Sequence, residues 1–236
     1  MSNVSELLQS HFGFDTFRGP QQQIIEHVLN DQHAMVIMPT GMGKSLCYQI
    51  PALATDAQKT DDEKPPITLV LSPLIALMKD QIDSLQDRGI KATFINSSLR
   101  KHERETRYTA IADGRYAILY VTPERFRKPE FLEVIAKRTV RLLAVDEAHC
   151  ISEWGHDFRP EYRQLSNLRR LFPDLPFMAL TATATDRVRS DILTQLRLKN
   201  PKSFVASFNR PNLAYRIENK QAVFQQILRF IQSKPF

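Results

Sequence analysis

Six short apolar or β-branched runs punctuate the chain: HAMVIM (33–38), ITLVLS (67–72), ATFIN (92–96), YAILYV (116–121), RLLAVD (141–146) and FMALTA (177–182). Several are apolar nearly throughout, which suits strands covered on both faces. Between them lie stretches such as PLIALMKDQIDSLQDR (73–88), with apolar residues at helical spacing. This alternation restricts the chain to an α/β fold, a mainly parallel sheet with helices on both faces. The polar, acidic, proline-ended stretch TDAQKTDDEKPP (55–66) reads as a surface loop inserted before the second strand.

The first strand runs into VIMPTGMGKSLCYQIP (36–51), close to the phosphate-loop pattern G-x-x-x-x-G-K-[ST] but with Met38 in the first position. A strand precedes the loop and a helix start follows it, KSLCYQI, as that motif requires. Backbone N–H groups converging at a helix N-terminus make an anion nest. Gly41 and Gly43 permit the backbone angles and the close approach of phosphate. Within the loop, Thr40 through Ser45 would surround the phosphates. Lys44 would face the β- and γ-phosphates and Ser45 would place its hydroxyl on Mg²⁺. Met38 lies at the strand end, before the curl, so the missing glycine costs little.

A second segment agrees with the first. LLAVDEAHC (142–150) is an apolar strand ending in two carboxylates, Asp146 and Glu147. A carboxylate at such a strand end is where a phosphate-loop enzyme holds its metal. Asp146 would support the Mg²⁺ shell, and Glu147 could orient and deprotonate an attacking water. One carboxylate alone could be a helix N-cap; the pair, downstream of a phosphate loop, points to hydrolysis of a nucleoside triphosphate.

The net charge of +6 permits an acidic partner such as nucleic acid without demanding one. No apolar run is long enough to span a bilayer, and the polar start MSNVSELLQSHFGFD is unlike a signal peptide, so a cytoplasmic protein with no membrane partner is expected. The two cysteines, Cys47 and Cys150, lack metal-ligand spacing and read as buried thiols.

MPTGMGKS, DEAH and LTATAT (180–185), in this order, resemble the superfamily 2 helicases. AVDEAHCISEWGHDFRPEY (144–162) is similar to the second motif and aromatic-rich loop of the RecQ family of DNA helicases. FGFDTFRGPQQQII (12–25) resembles that family's adenine-recognition motif, and LVLSPLIALMKDQ (69–81), YVTPER (120–125) and SFNRPNLAY (207–215) follow in family order. The resemblance implies a RecA-like phosphate-loop lobe that uses ATP and Mg²⁺, with single-stranded and tailed duplex DNA as partners. It also implies that the family's phosphate loop tolerates methionine at Met38.

Carried over by position, Gln21 would read the adenine edge, supported by Arg18, with Phe14 stacked on the base. A glutamine amide offers one donor and one acceptor to adenine N6 and N7. The family's Pro-Gly between arginine and glutamine is Gly19-Pro20 here, so a shifted turn is expected. Phe14 and Phe17 could instead form a hydrophobic staple under the first helices. In the aromatic loop, Trp154, His156, Phe158 and Arg159 would stack on bases and hold phosphate, unless Trp154 or Phe158 is simply buried. Thr181 and Thr183 would link nucleotide state to domain closure, and Ser72, Thr122 and Arg125 would touch the DNA backbone. The basic cluster RKHERETR (100–107) reads as a solvated helix face.

The resemblance divides the chain into a first lobe, 1–208, and a linker with the start of a second lobe, 209–236. A second motor lobe would supply an arginine finger; without it the chain would hydrolyse ATP slowly and unwind nothing. Two other functions stay open from the sequence: a superfamily 2 RNA helicase lobe, and an ATP- or DNA-binding module with no motor activity.

Overall fold

The computed structural model describes residues 4–56, 64–207, 209, 213 and 217–233. Among these residues, seven strands form one parallel sheet: β1 (Ala34–Ile37), β2 (Ile67–Leu71), β3 (Ala92–Ile95), β4 (Ile118–Val121), β5 (Val140–Val145), β6 (Phe177–Thr181) and β7 (Lys202–Val205). Their order across the sheet is β3-β4-β2-β5-β6-β1-β7. The helices are α1 (Val4–Phe12), α2 (Gln21–Leu29), α3 (Leu46–Asp56), α4 (Ile75–Asp87), α5 (Lys101–Ala112), α6 (Pro129–Ile135), α7 (Pro160–Arg163), α8 (Leu168–Leu171), α9 (Asp186–Gln195) and α10 (Val223–Gln232). None is long and apolar enough to cross a membrane.

The apolar runs form strands because alternate residues enter two different cores. In β1, Ala34 and Val36 join the cluster under α1, α2 and α3, whereas Met35 and Ile37 join the cluster on the other face with α5 and α6. Leu142 and Ala144 of β5 face the first cluster, and Leu143 and Val145 the second. Each fully buried Leu, Ile or Val contributes about 1.5–3 kcal/mol relative to exposure, so a one-residue slip of a central strand would exchange two matched sets of side chains at once.

Three details differ from the sequence reading. β7 was not foreseen; it extends the sheet beside β1, with Met35 opposite Ser203. The helix α3 runs to Asp56, so the inserted loop begins later than 55, and residues 57–63 of it lie outside the described residues, as does most of 208–216 in SFNRPNLAY. Within the basic cluster, Arg107 is not merely solvated: its guanidinium packs 4.1 Å from the Phe94 ring centroid and donates to the Phe94 carbonyl at 2.9 Å. No residue of α10 is buried.

Candidate functional site

Parallel strands bring all their C-terminal ends to one edge, and ligands of open α/β sheets bind there. β6 stands between β1 and β5. The loop after β1 and the carboxylates after β5 are therefore two strand spacings apart, about 9.5 Å, with the end of β6 between them. Backbone bonds fix all three exits: Met38 N–H donates to the Thr181 carbonyl at 3.1 Å, and Asp146 N–H to the Leu71 carbonyl at 2.8 Å.

The loop Pro39–Ser45 is closed by Met42 N–H donating to the Pro39 carbonyl (3.2 Å) and Leu46 N–H to the Gly43 carbonyl (3.1 Å). Among the described residues, the amides of Gly41, Gly43, Lys44 and Ser45 donate to no backbone carbonyl. Such a row of free donors at the start of α3 suits a polyanion. Lys44 Nζ is held 3.1 Å from the Met38 carbonyl, which lays the side chain across the loop's own mouth. Gly43 has φ +74°, and a Cβ there would lie 2.6 Å from Gln21 Nε2.

That contact reveals what Gln21 does. The residue is buried, and its amide is fully engaged: Nε2 donates to the carbonyls of Met42 (2.8 Å) and Gly43 (3.1 Å), and Oε1 accepts from Arg18 N–H at 2.8 Å. In this arrangement Gln21 ties the turn before α2 to the phosphate loop, and reading an adenine edge would require exchanging those bonds. In this turn Gly19 has φ +51° and Pro20 is the residue before α2. Phe14 is exposed, with the Arg18 guanidinium 5.7 Å from its ring centroid. Phe17 packs against the core. The staple alternative therefore describes Phe17 and leaves Phe14 open to a ligand.

Asp146 is half-buried as a residue, but its carboxyl lies among protein atoms. Burial, with Glu147 beside it, pushes the carboxyl up to about 6, while Lys44 pulls the other way. Its Oδ1 accepts Glu147 N–H at 3.0 Å. A carboxylate whose charge is this poorly solvated is suited to a cation. Glu147 adopts a left-handed backbone, φ +48°, which costs a non-glycine residue of order 1–3 kcal/mol and persists only where the surroundings impose it. Its side chain points to His149: Oε2 is 3.3 Å from Nδ1, and this bond chiefly holds the Glu147 carboxyl below its usual range.

His149 is the residue the sequence reading passed over. It is buried, and its Nδ1 is 3.0 Å from Thr181 Oγ1. The Thr181 hydroxyl proton goes to the Thr183 carbonyl at 3.0 Å. Nδ1 of His149 is therefore the protonated nitrogen, shared between Thr181 and Glu147. The ring also stacks on His156 of the aromatic loop, with centroids 4.1 Å apart. One imidazole thus touches the carboxylate, the end of β6 and the loop.

The loop is locked to this segment. Gly155 packs so closely that a Cβ would stand 2.3 Å from the His149 carbonyl oxygen. Arg159 N–H donates to the Cys150 carbonyl (2.9 Å), and the Arg159 guanidinium bonds the Pro73 carbonyl (2.9 Å) and Asp157 (3.0 Å). Trp154 is 56% exposed and His156 is exposed; Phe158 is half-buried beneath Arg163. Thr183 and Thr40 are exposed. Ser72 and Thr122 are buried, their hydroxyls occupied by Leu74 N–H and Glu124, and Arg125 donates to the Asn96 carbonyl at 2.8 Å. These three flank the site at the ends of β2 and β4 with their polar groups turned into the protein.

An ATP-dependent DNA helicase RecQ from Haemophilus influenzae is 48% identical over 95% of this chain, which covers 35% of that protein. Another, from Bacillus subtilis, is 42% identical over 97% of this chain and 38% of its own length. The chain thus spans about a third of the length of these curated relatives. Among solved structures, the helicase MrfA bound to DNA superposes with a TM-score of 0.64 at 19% identity, over 86% of this chain and 29% of that one. A hypothetical ATP-dependent RNA helicase from Sulfolobus tokodaii gives 0.64 at 20% identity, over 87% and 57%. These superpositions establish the RecA-like helicase fold. The DEAD/DEAH box helicase family model matches residues 18–192, and the chain belongs to that family.

Proposed function

We propose that this chain is the ATP-binding motor lobe, residues 1–208, of a RecQ-type DNA helicase that moves 3′ to 5′ along single-stranded DNA and separates duplexes. Residues 209–236 would lead into the second lobe. The carrying observation is the convergence at one sheet edge of Lys44, Asp146 and Glu147 with a histidine that also touches the aromatic loop. The identity to RecQ proteins supports the choice of DNA over RNA.

The residues fit Mg-ATP. The free amides of the loop match phosphate, and the poorly solvated Asp146 carboxyl matches a divalent cation. When bound, the metal would neutralise charge on the terminal phosphates. Ser45 and Asp146 would hold it. Lys44 would leave the Met38 carbonyl for the phosphates. Glu147, kept ionised by His149, would accept the proton of the attacking water. Trp154, His156, Phe158 and Arg159 would contact the strand, and His149 would carry that contact to Glu147 and Thr181.

The test is ATP hydrolysis by an enzyme carrying both lobes, titrated with single-stranded DNA and with RNA. DNA should stimulate strongly and RNA weakly. Lys44→Ala should lose binding of a fluorescent ATP analogue, whereas Glu147→Gln should keep binding and lose hydrolysis. Unchanged binding in Lys44→Ala, or equal stimulation by RNA, would refute the reading.

A further inference from the structure

The chain has one tryptophan, Trp154, and its exposed ring is not bare. The Arg187 guanidinium lies over it, 3.2 Å from the ring centroid. Arg187 is the second residue of α9, a poor place for a cation, because a helix carries partial positive charge at its N-terminus. Thr185 caps that end, its hydroxyl accepting from Val188 N–H at 3.3 Å. Asp186, which could have neutralised Arg187, is paired with Arg189 at 2.9 Å. Among the described residues no carboxylate lies within ion-pair distance of Arg187. An exposed cation–π contact of this kind is weak, and stacking of a base on an aromatic ring is generally stronger.

The guanidinium therefore occupies the face that an unpaired base would use, and does so without a stronger partner to hold it. A nucleotide arriving at that face brings both a competitor for the ring and a phosphate for the cation. We propose that Arg187 is a strand-contact residue that exchanges partners: it covers Trp154 in the free protein, and a base displaces it onto the adjacent backbone phosphate. This rests on the reading of the aromatic loop as a nucleic-acid contact. It adds a residue outside that loop and assigns it an order of events.

With a single tryptophan, emission excited at the red edge, where the six tyrosines do not absorb, reports on Trp154 alone. The experiment is quenching of this emission by oligothymidylate, in the 236-residue chain, at several salt concentrations. Each phosphate neutralised contributes about 0.7 to the slope of log affinity against log salt for single strands. Arg187→Met should keep the quenching but show a slope shallower by about 0.7, so that its affinity falls about 2.6-fold less than wild type between about 50 and 200 mM salt. Arg187→Lys should restore the slope. A residue that only props the indole would change affinity at every salt concentration equally, and lysine would not rescue it. Equal slopes for wild type and Arg187→Met, or loss of all quenching in Arg187→Met alone, would overturn the exchange and leave the loop reading standing. No quenching of the wild-type chain would overturn both.

Discussion

The contact between Gly43 and Gln21 makes a prediction that separates two costs usually confounded in a phosphate loop. Gly41 and Gly43 both have left-handed backbones, φ +85° and +74°. A Cβ on Gly41 would meet nothing within 4 Å, whereas one on Gly43 would meet Gln21 Nε2 at 2.6 Å. Gly41→Ala therefore carries the backbone cost alone, about 1–2 kcal/mol; where the substituted loop relaxes when empty and must regain this conformation to bind, the loss is roughly five- to thirtyfold in affinity for a fluorescent ATP analogue. Gly43→Ala carries the same cost and also expels the Gln21 amide. That amide makes two bonds to loop carbonyls, each worth about 0.5–1.5 kcal/mol, so a further loss of about 1–3 kcal/mol is expected. In a Gln21→Ala background the obstacle is gone, and Gly43→Ala should fall back to the Gly41→Ala value. The double-mutant cycle should thus show a coupling of about 1–3 kcal/mol between positions 21 and 43. Thermal melts of all four proteins would separate loss of the loop from loss of the fold. Equal effects at the two glycines, or a coupling below about 0.5 kcal/mol, would refute the argument that Gln21 braces the loop.

Two further outcomes follow from burial. In the two-lobe enzyme, Trp154→Ala should leave the melting temperature within a degree or two and remove most stimulation by single-stranded DNA, since its ring is exposed rather than packed; a loss of about 3–5 kcal/mol in stability, as for a core aromatic, with normal stimulation would contradict it. Burial pushes the thiols of Cys47 and Cys150 each up to about 12, so neither should react with a thiol reagent in the native chain at neutral pH, and both should react in denaturant; rapid native labelling would refute their placement.

Much of this was legible in the sequence, and the exceptions have a physical pattern. β1, β2, β4, β5 and β6 were readable because both faces of each are covered, which forces unbroken apolar runs. β3, at one edge of the sheet, was readable too because most of its length is buried, whereas β7, at the other edge, buries only Phe204 along its length. The phosphate loop and the carboxylate pair were readable from local spacing. The brace made by Gln21 spans more than twenty residues of sequence, and no local pattern announces it. Arg187 lies thirty-odd positions from Trp154 and was invisible for the same reason. Gly155, a glycine flanked by Trp154 and His156 in a chain with only seven, meets a demand that sequence alone does not specify: close approach to His149, not a positive φ.

Gly155 and Glu147 together indicate why the loop and the carboxylate behave as one unit. Glu147 is held in a left-handed conformation between two fixed points. On one side, Asp146 N–H is bonded to β2 through the Leu71 carbonyl, and Asp146 Oδ1 takes the Glu147 N–H. On the other, the His149 carbonyl is pressed against Gly155 of the loop. The unfavourable backbone at Glu147 is therefore maintained by the loop's seat on residue 149, while the His149 ring fixes the carboxylate from the side-chain direction. Any movement of the loop that lifts Gly155 or unstacks His156 must alter at least one of the two constraints on Glu147. Contact at an exposed aromatic can thereby reach Glu147, the carboxylate proposed above to accept the water's proton, through three residues of backbone and one imidazole, with no rearrangement of the sheet.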